Sequence, residues 1–90
     1  MTDLSARSPF VLFIAARSAN SMAALANLQR ALAALGRTIR DVAVVDVYEQ
    51  PDAAAAANVF VTPTLVRRDD PAHRLTGDLS AHHMLAEFLQ

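Results

Sequence analysis

The chain has no cysteine, no tryptophan and only two glycines in 90 residues. Without cysteine there is no disulfide, no CxxC redox pair, no thiolate metal ligand and no thiol nucleophile. With Gly36 and Gly77 alone, no glycine-rich phosphate loop can be written. Lysine is also missing. All eight basic residues are arginines spread along the chain, and the formal net charge is -1. No basic stripe or overall field would draw in nucleic acid, so a nucleic-acid role is not expected. Long apolar runs are missing too. The longest, Phe10 to Ala16, is far short of a membrane span, and Met1 to Ser8 lacks the apolar centre of a signal peptide. A soluble cytoplasmic protein is therefore expected, and a thiol-free chain suits a reducing compartment.

The residues that commonly carry chemistry are present but badly spaced for it. His82 and His83 are neighbours, which on a helix point about 100° apart. With His73 they form no His-Glu-x-x-His pattern. Asp69-Asp70 lacks the ligand spacing of a calcium loop, and no serine sits in a nucleophile elbow. No catalytic residue, metal ligand or cofactor is expected, and the chain is read as non-enzymatic.

What the chain does have is apolar patterning. Hydrophobic residues make up 53% of it, enough to exclude general disorder, and its length suits one domain. Residues 1–9 read as a tail and 10–90 as the folded unit. Phe10-Val11-Leu12-Phe13-Ile14 is a continuous apolar run, expected for a strand covered on both faces. Arg17 to Ser21 breaks it with capping residues, and a helix is predicted over 21–35. Its inward stripe would be Met22, Leu25, Leu28, Leu32 and Leu35, with Gly36 as a left-handed C-terminal cap. A second, β-branched strand is predicted over 41–48. Strand, helix and strand with short links make a right-handed βαβ unit with a parallel pair. Pro51-Asp52 suits a helix start, and the alanines 53–57 are strong helix formers.

Next come a third strand, Thr64 to Arg67, a turn at Asp69 to Ala72, and a short strand, His73 to Thr76, paired as a hairpin. Asp78 or Ser80 would cap a last helix with Met84, Leu85, Phe88 and Leu89 facing inward. The predicted fold is a single-domain α/β, thioredoxin-like βαβαββα arrangement. Pro63, near the start of the third strand, cannot donate to a ladder. It reads as shaping the turn that opens the strand, in cis or in trans. Ser18-Ala19-Asn20-Ser21 stands where redox-active proteins of this fold carry their thiols, and reads here as helix-capping residues.

Three blocks in order carry a family resemblance: Val44-Val45-Asp46-Val47 followed by Pro51, then Val61-Thr62-Pro63-Thr64-Leu65-Val66, then Arg74-Leu75-Thr76-Gly77-Asp78-Leu79-Ser80. With Asn20-Ser21, Ala24 and Leu25 at the first helix start, the chain resembles the circadian-clock KaiB family from about Phe10 to Leu89. The resemblance implies a regulator that binds a KaiC-type ATPase ring. It also implies two folds for one sequence: a thioredoxin-like monomer that binds the partner, and a ground-state fold with a rearranged C-terminal half that assembles with copies of itself. The chain departs from the family pattern at Ala16 and Ala23, keeps only Pro71 of a proline-rich stretch, and ends at Gln90 without the usual extension. Local preferences favour the thioredoxin-like form. The expected partner contacts are Asn20, Arg67 and Arg74. Pro63, Gly77 and Asp78 are expected to set the fold. The alternative function is a sensor or adaptor domain that binds another signalling protein without changing fold.

Overall fold

In the computed structural model, residues 8–90 are described. Most of the predicted tail, residues 1–7, lies outside them. Ser8 and Pro9 are tied to the sheet: the Ser8 hydroxyl donates to the Arg40 carbonyl, and the Pro9 carbonyl accepts from the Arg68 amide at 2.9 Å.

The order of elements is β1 (Phe10–Ile14), α1 (Ala19–Ala34), a 3-10 turn (Ile39–Asp41), β2 (Val42–Asp46), α2 (Pro51–Ala56), β3 (Thr64–Arg67), β4 (Arg74–Thr76) and α3 (His82–Phe88). The four strands form one sheet in the order β2-β1-β3-β4. β1 and β2 are parallel, with Phe10 beside Val42 and Ile14 beside Asp46. β3 runs antiparallel to both β1 and β4. This is the predicted thioredoxin-like arrangement rather than the rearranged alternative.

Strand alternation divides the core in two. Phe10, Leu12 and Leu65 point to one face and are covered by Leu28 and Leu32 of α1 and by Leu85, Phe88 and Leu89 of α3 and its end. Phe13 and Val66 point to the other face, where Ala54 of the short α2 and Val59 complete the buried cluster among the described residues. The first face carries a 16-residue and a 7-residue helix; the second carries a 6-residue one.

Helix α1 begins where the Ser18 hydroxyl accepts from the Ser21 amide at 3.0 Å, as an N-cap should. It ends in a Schellman turn: the Arg37 amide reaches the Leu32 carbonyl at 2.8 Å, and Gly36 takes φ +70. The inward stripe differs from the predicted one. Ser21, Ala24, Asn27, Leu28 and Leu32 are buried, whereas Met22 and Leu35 are exposed. Two polar contacts fix this rotation. The buried Ser21 hydroxyl accepts from the Ala15 amide at 3.1 Å, and the Asn27 side-chain amide donates to the Asp78 carbonyl at 2.8 Å. Apolar spacing alone gives no weight to either residue.

Three more expectations need correction. The second strand spans only Val42–Asp46, because residues 39–41 close a 3-10 turn capped by Thr38. The last helix starts at His82, and neither Asp78 nor Ser80 caps it; its N-cap is Ala81, with no side-chain bond. The Asp78 carboxylate instead accepts from the Ser80 amide at 3.0 Å, closing a turn ahead of the helix. Met84, expected inside, is exposed, while Leu85, Phe88 and Leu89 are buried.

Replacing Ser21 with alanine leaves the Ala15 amide buried without an acceptor. The expected cost is about 1–3 kcal/mol, measurable as a lower urea midpoint at unchanged m-value. Ser18→Ala, which removes only the cap, is expected to cost about 1 kcal/mol.

Candidate functional site

Sheet order brings several loops to one end. Because β1 and β2 are parallel, the loops leaving both strands, 15–18 and 47–50, emerge together, with the start of α1 beside them. Because β3 is antiparallel to β1, Thr64 lies beside Phe13, so the segment entering β3 arrives at the same end. Thr76 pairs with Thr64, which adds the turn after β4. The chain leaves β1 for β2 on one side and later returns to β3 on the other. In open α/β sheets such a switch point, beyond the carboxyl ends of the strands, is where ligands and partners gather.

The loops are held by their own hydrogen bonds. The Val47 amide donates to the Ile14 carbonyl at 2.9 Å, and the Asp46 carboxylate accepts from the Tyr48 amide at 3.0 Å. The Thr62–Pro63 bond is cis, and the Thr64 hydroxyl donates to the Val61 carbonyl at 2.8 Å. The Gly77 amide donates to the Pro63 carbonyl at 2.9 Å, with Gly77 at φ +97. Asp78 follows, its carbonyl taken by Asn27 and its carboxylate by Ser80. Pro63, Gly77 and Asp78, which the sequence placed together as backbone-setting residues, are thus one connected network joining β3, β4 and α1.

On this frame stand three outward apolar side chains: Tyr48 at 75% exposure, Phe60 at 87% and Val61 at 59%. Sequence reading passed over Tyr48 and Phe60. The available signal was a bulky aromatic residue in each of two short connections, where turn-forming residues are the norm.

The three expected contact residues sit on different elements, and the side chains of Arg67 and Arg74 leave the sheet in different directions. Asn20 is exposed in the first turn of α1, at the sheet end just described. Arg67 lies at the far end of β3, beside Phe10. Its guanidinium lies over the Phe10 ring and donates to the Phe88 and Gln90 carbonyls and to the Asp69 carboxylate. Arg74 pairs with Val66 across the β3–β4 ladder and so faces the opposite side of the sheet. It donates to the carbonyls of Ala57, Asn58 and Pro71. Among the described residues, no group of three or more His, Cys, Asp or Glu side chains could hold a metal ion, and no helix is long and apolar enough to cross a membrane.

Two carboxylates have lowered pKa values. Hydrogen bonds from Ser80, first its hydroxyl and then its amide, hold the Asp78 carboxyl below the ordinary 3.8. The hydrogen bond from Arg67, supported by its charge, does the same for Asp69. A carboxyl whose pKa is depressed by folding adds stability above its unfolded value and loses it as pH falls through the folded value. Stability is therefore expected to stay level down to about pH 4 and to fall below it. The slope should flatten in an Asp69→Asn, Asp78→Asn double variant followed by urea denaturation across that range.

The family model for the KaiB domain matches residues 11–90. Similar proteins include the circadian clock protein KaiB3 of Synechocystis sp., 36% identical over 70 residues, which covers 77% of this chain and 69% of that protein. The circadian clock oscillator protein KaiB of Prochlorococcus marinus is 34% identical over 80 residues, 86% of this chain and 76% of that one. The corresponding protein of Synechococcus sp. is also 34% identical over 80 residues, with 86% and 73% covered. The family match runs from the second residue of β1 to the end of the chain, and the chain belongs to the KaiB family of circadian clock proteins.

Proposed function

We propose that the protein is a non-enzymatic regulator that docks on a KaiC-type ATPase through the sheet end bearing Tyr48, Phe60 and Val61. The observation that carries this reading is the exposure of those three apolar side chains on loops that are themselves fixed by hydrogen bonds. Rigid, outward aromatic residues lose little entropy on binding and are favoured interface anchors. Asn20, at the same end, supplies a polar contact at the rim. Arg67 and Arg74 contribute by holding local structure, so their substitution would change stability and binding together. A pull-down with a KaiC-type ATPase, with and without ATP, tests the reading. Nucleotide-dependent retention is expected; background retention in both states overturns it.

The family resemblance also implies a second packing of the C-terminal half that self-associates, in which Pro63, Gly77 and Asp78 would set the balance. Two such packings coexist only when they differ by a few kcal/mol. One observation favours the alternative, an adaptor that keeps one fold. Arg37 donates to the Leu89 carbonyl at 2.9 Å, and Arg67 to the Gln90 carbonyl at 3.2 Å. Two cations thus hold the carbonyl end of α3, which suits the helix dipole. Backbone NMR decides between the readings: two sets of resonances after Gln50 support switching, and a single helical set at 82–88 at all concentrations supports the adaptor.

A further inference from the structure

The second face of the sheet carries a feature that docking at the sheet end does not use. Among the described residues only the six-residue α2 stands above this face, and an open groove of about 710 Å³ lies between α2, the strands and the turn after β3. That volume lies within the ~300–1,000 Å³ of small-molecule sites. The floor is Ala43, Val45 and Val66, and one wall is Ala53, Ala56 and Ala57. Among the described residues fourteen line the groove, none of them Asp or Glu, and Arg67, Arg68 and Arg74 are three of them.

Arg74 gives the groove its charge preference. Its Nη2 donates to the Ala57 carbonyl at 3.0 Å and to the Pro71 carbonyl at 2.7 Å. Its Nη1 donates to the Asn58 carbonyl at 3.2 Å, and its Nε to Pro71 at 3.0 Å. Four of the five guanidinium N–H groups are thereby committed to main-chain carbonyls, and one on Nη1 remains. These neutral acceptors fix the guanidinium without neutralising it. Arg37 and Arg67 differ, since each has an aspartate within 3.4 Å. Among the described residues Arg74 has no carboxylate partner, and it is half-buried, where a charge interacts more strongly than in bulk water.

We propose that this groove binds a small amphipathic carboxylate, its apolar chain lying along the alanine wall and its carboxylate meeting Arg74. A neutral apolar molecule would leave the cation uncompensated, and a cationic one would be repelled. The site is separate from the sheet end bearing Tyr48, Phe60 and Val61, so its success or failure leaves the docking reading untouched.

Methyl NMR titrations of the full chain test this, using decanoate, decanol and decyltrimethylammonium below their micelle concentrations. Decanoate is expected to shift the Ala43, Val45 and Val66 methyls saturably. Decanol should bind at least tenfold more weakly, and the cation should give no saturable shift. Arg74→Gln is expected to abolish the preference for decanoate over decanol. Should that variant fail to fold, Ala56→Phe at an exposed position of α2 fills the groove with every Arg74 bond intact, and is expected to abolish decanoate binding. Equal affinity for decanoate and decanol overturns the proposal, as does a decanoate titration that Ala56→Phe leaves unchanged. Methyl shifts at this face that depend on protein concentration without ligand also overturn it, because they mark an interface between copies of the chain.

Discussion

Phe88→Ala is expected to remove about 3–5 kcal/mol of stability, the range for truncating a buried aromatic residue. A chain of this length has roughly 5–13 kcal/mol in total, so about a quarter or more of it depends on this one ring. Phe88 is almost fully buried, with its ring centroid 5.8 Å from that of Phe10 and 4.8 Å from that of His73. It therefore joins α3 to the first strand and to the hairpin. The same helix end is held by Arg37 and Arg67, whose guanidinium groups both lie over Phe10. Truncation leaves a cavity beneath those cations and loosens their grip on the carbonyls of 88–90. Urea denaturation should show a lower midpoint. Met84→Ala, on the exposed side of α3, is the control and should change stability by no more than about 0.5 kcal/mol. Equal effects at the two positions would mean that α3 does not close the core as described.

Phe88→Ala also bears on the fold balance. If α3 is the element that a second packing would recast, weakening its inner face lowers the free-energy gap between the two packings by the part of that cost the second packing does not share. A variant that loses helix while staying compact and becoming oligomeric would support the switching regulator. A variant that simply unfolds would support the adaptor.

Elements whose cause is local were legible in the sequence. The apolar run of β1, the β-branched β2, Pro51 opening α2 and Gly36 behind α1 each carry their own signal. Features that depend on distant partners were not. The rotation of α1 is fixed by Ser21 and Asn27, and the acceptor for Asn27 lies 51 residues along the chain. Hydropathy counts both residues as outward. The start of α3 was misplaced because Asp78 and Ser80 carry the chemistry of a cap but use it on each other. The separation of Arg67 from Arg74 follows from antiparallel register. Val66 opposite Arg74 puts that arginine on the Val66 face, and strand alternation sends Arg67 to the other. The expected contact set thus joined two guanidinium groups that leave the sheet on opposite faces.

The second large effect is expected at Phe60. A side chain 87% exposed has little packing to lose, so Phe60→Ser should leave the urea midpoint within about 0.5 kcal/mol of the parent. If the sheet end is the docking surface, the same change should weaken binding to a KaiC-type ATPase by about 2 kcal/mol, roughly thirtyfold. Tyr48→Ser should act in the same direction, since Tyr48 stands on a neighbouring loop at the same end of β1 and β2. The contrast with Arg67→Ala makes the test discriminating. That change releases the Phe88 and Gln90 carbonyls, so any loss of binding must come with a loss of stability. Phe60→Ser separates the two quantities. Unchanged affinity in this variant, measured by titration calorimetry on folded protein, would remove the aromatic end of the sheet from the interface. Docking would then have to be sought elsewhere, and the open edge of β2, where Val44 is exposed, is the next surface with unpaired strand backbone to offer.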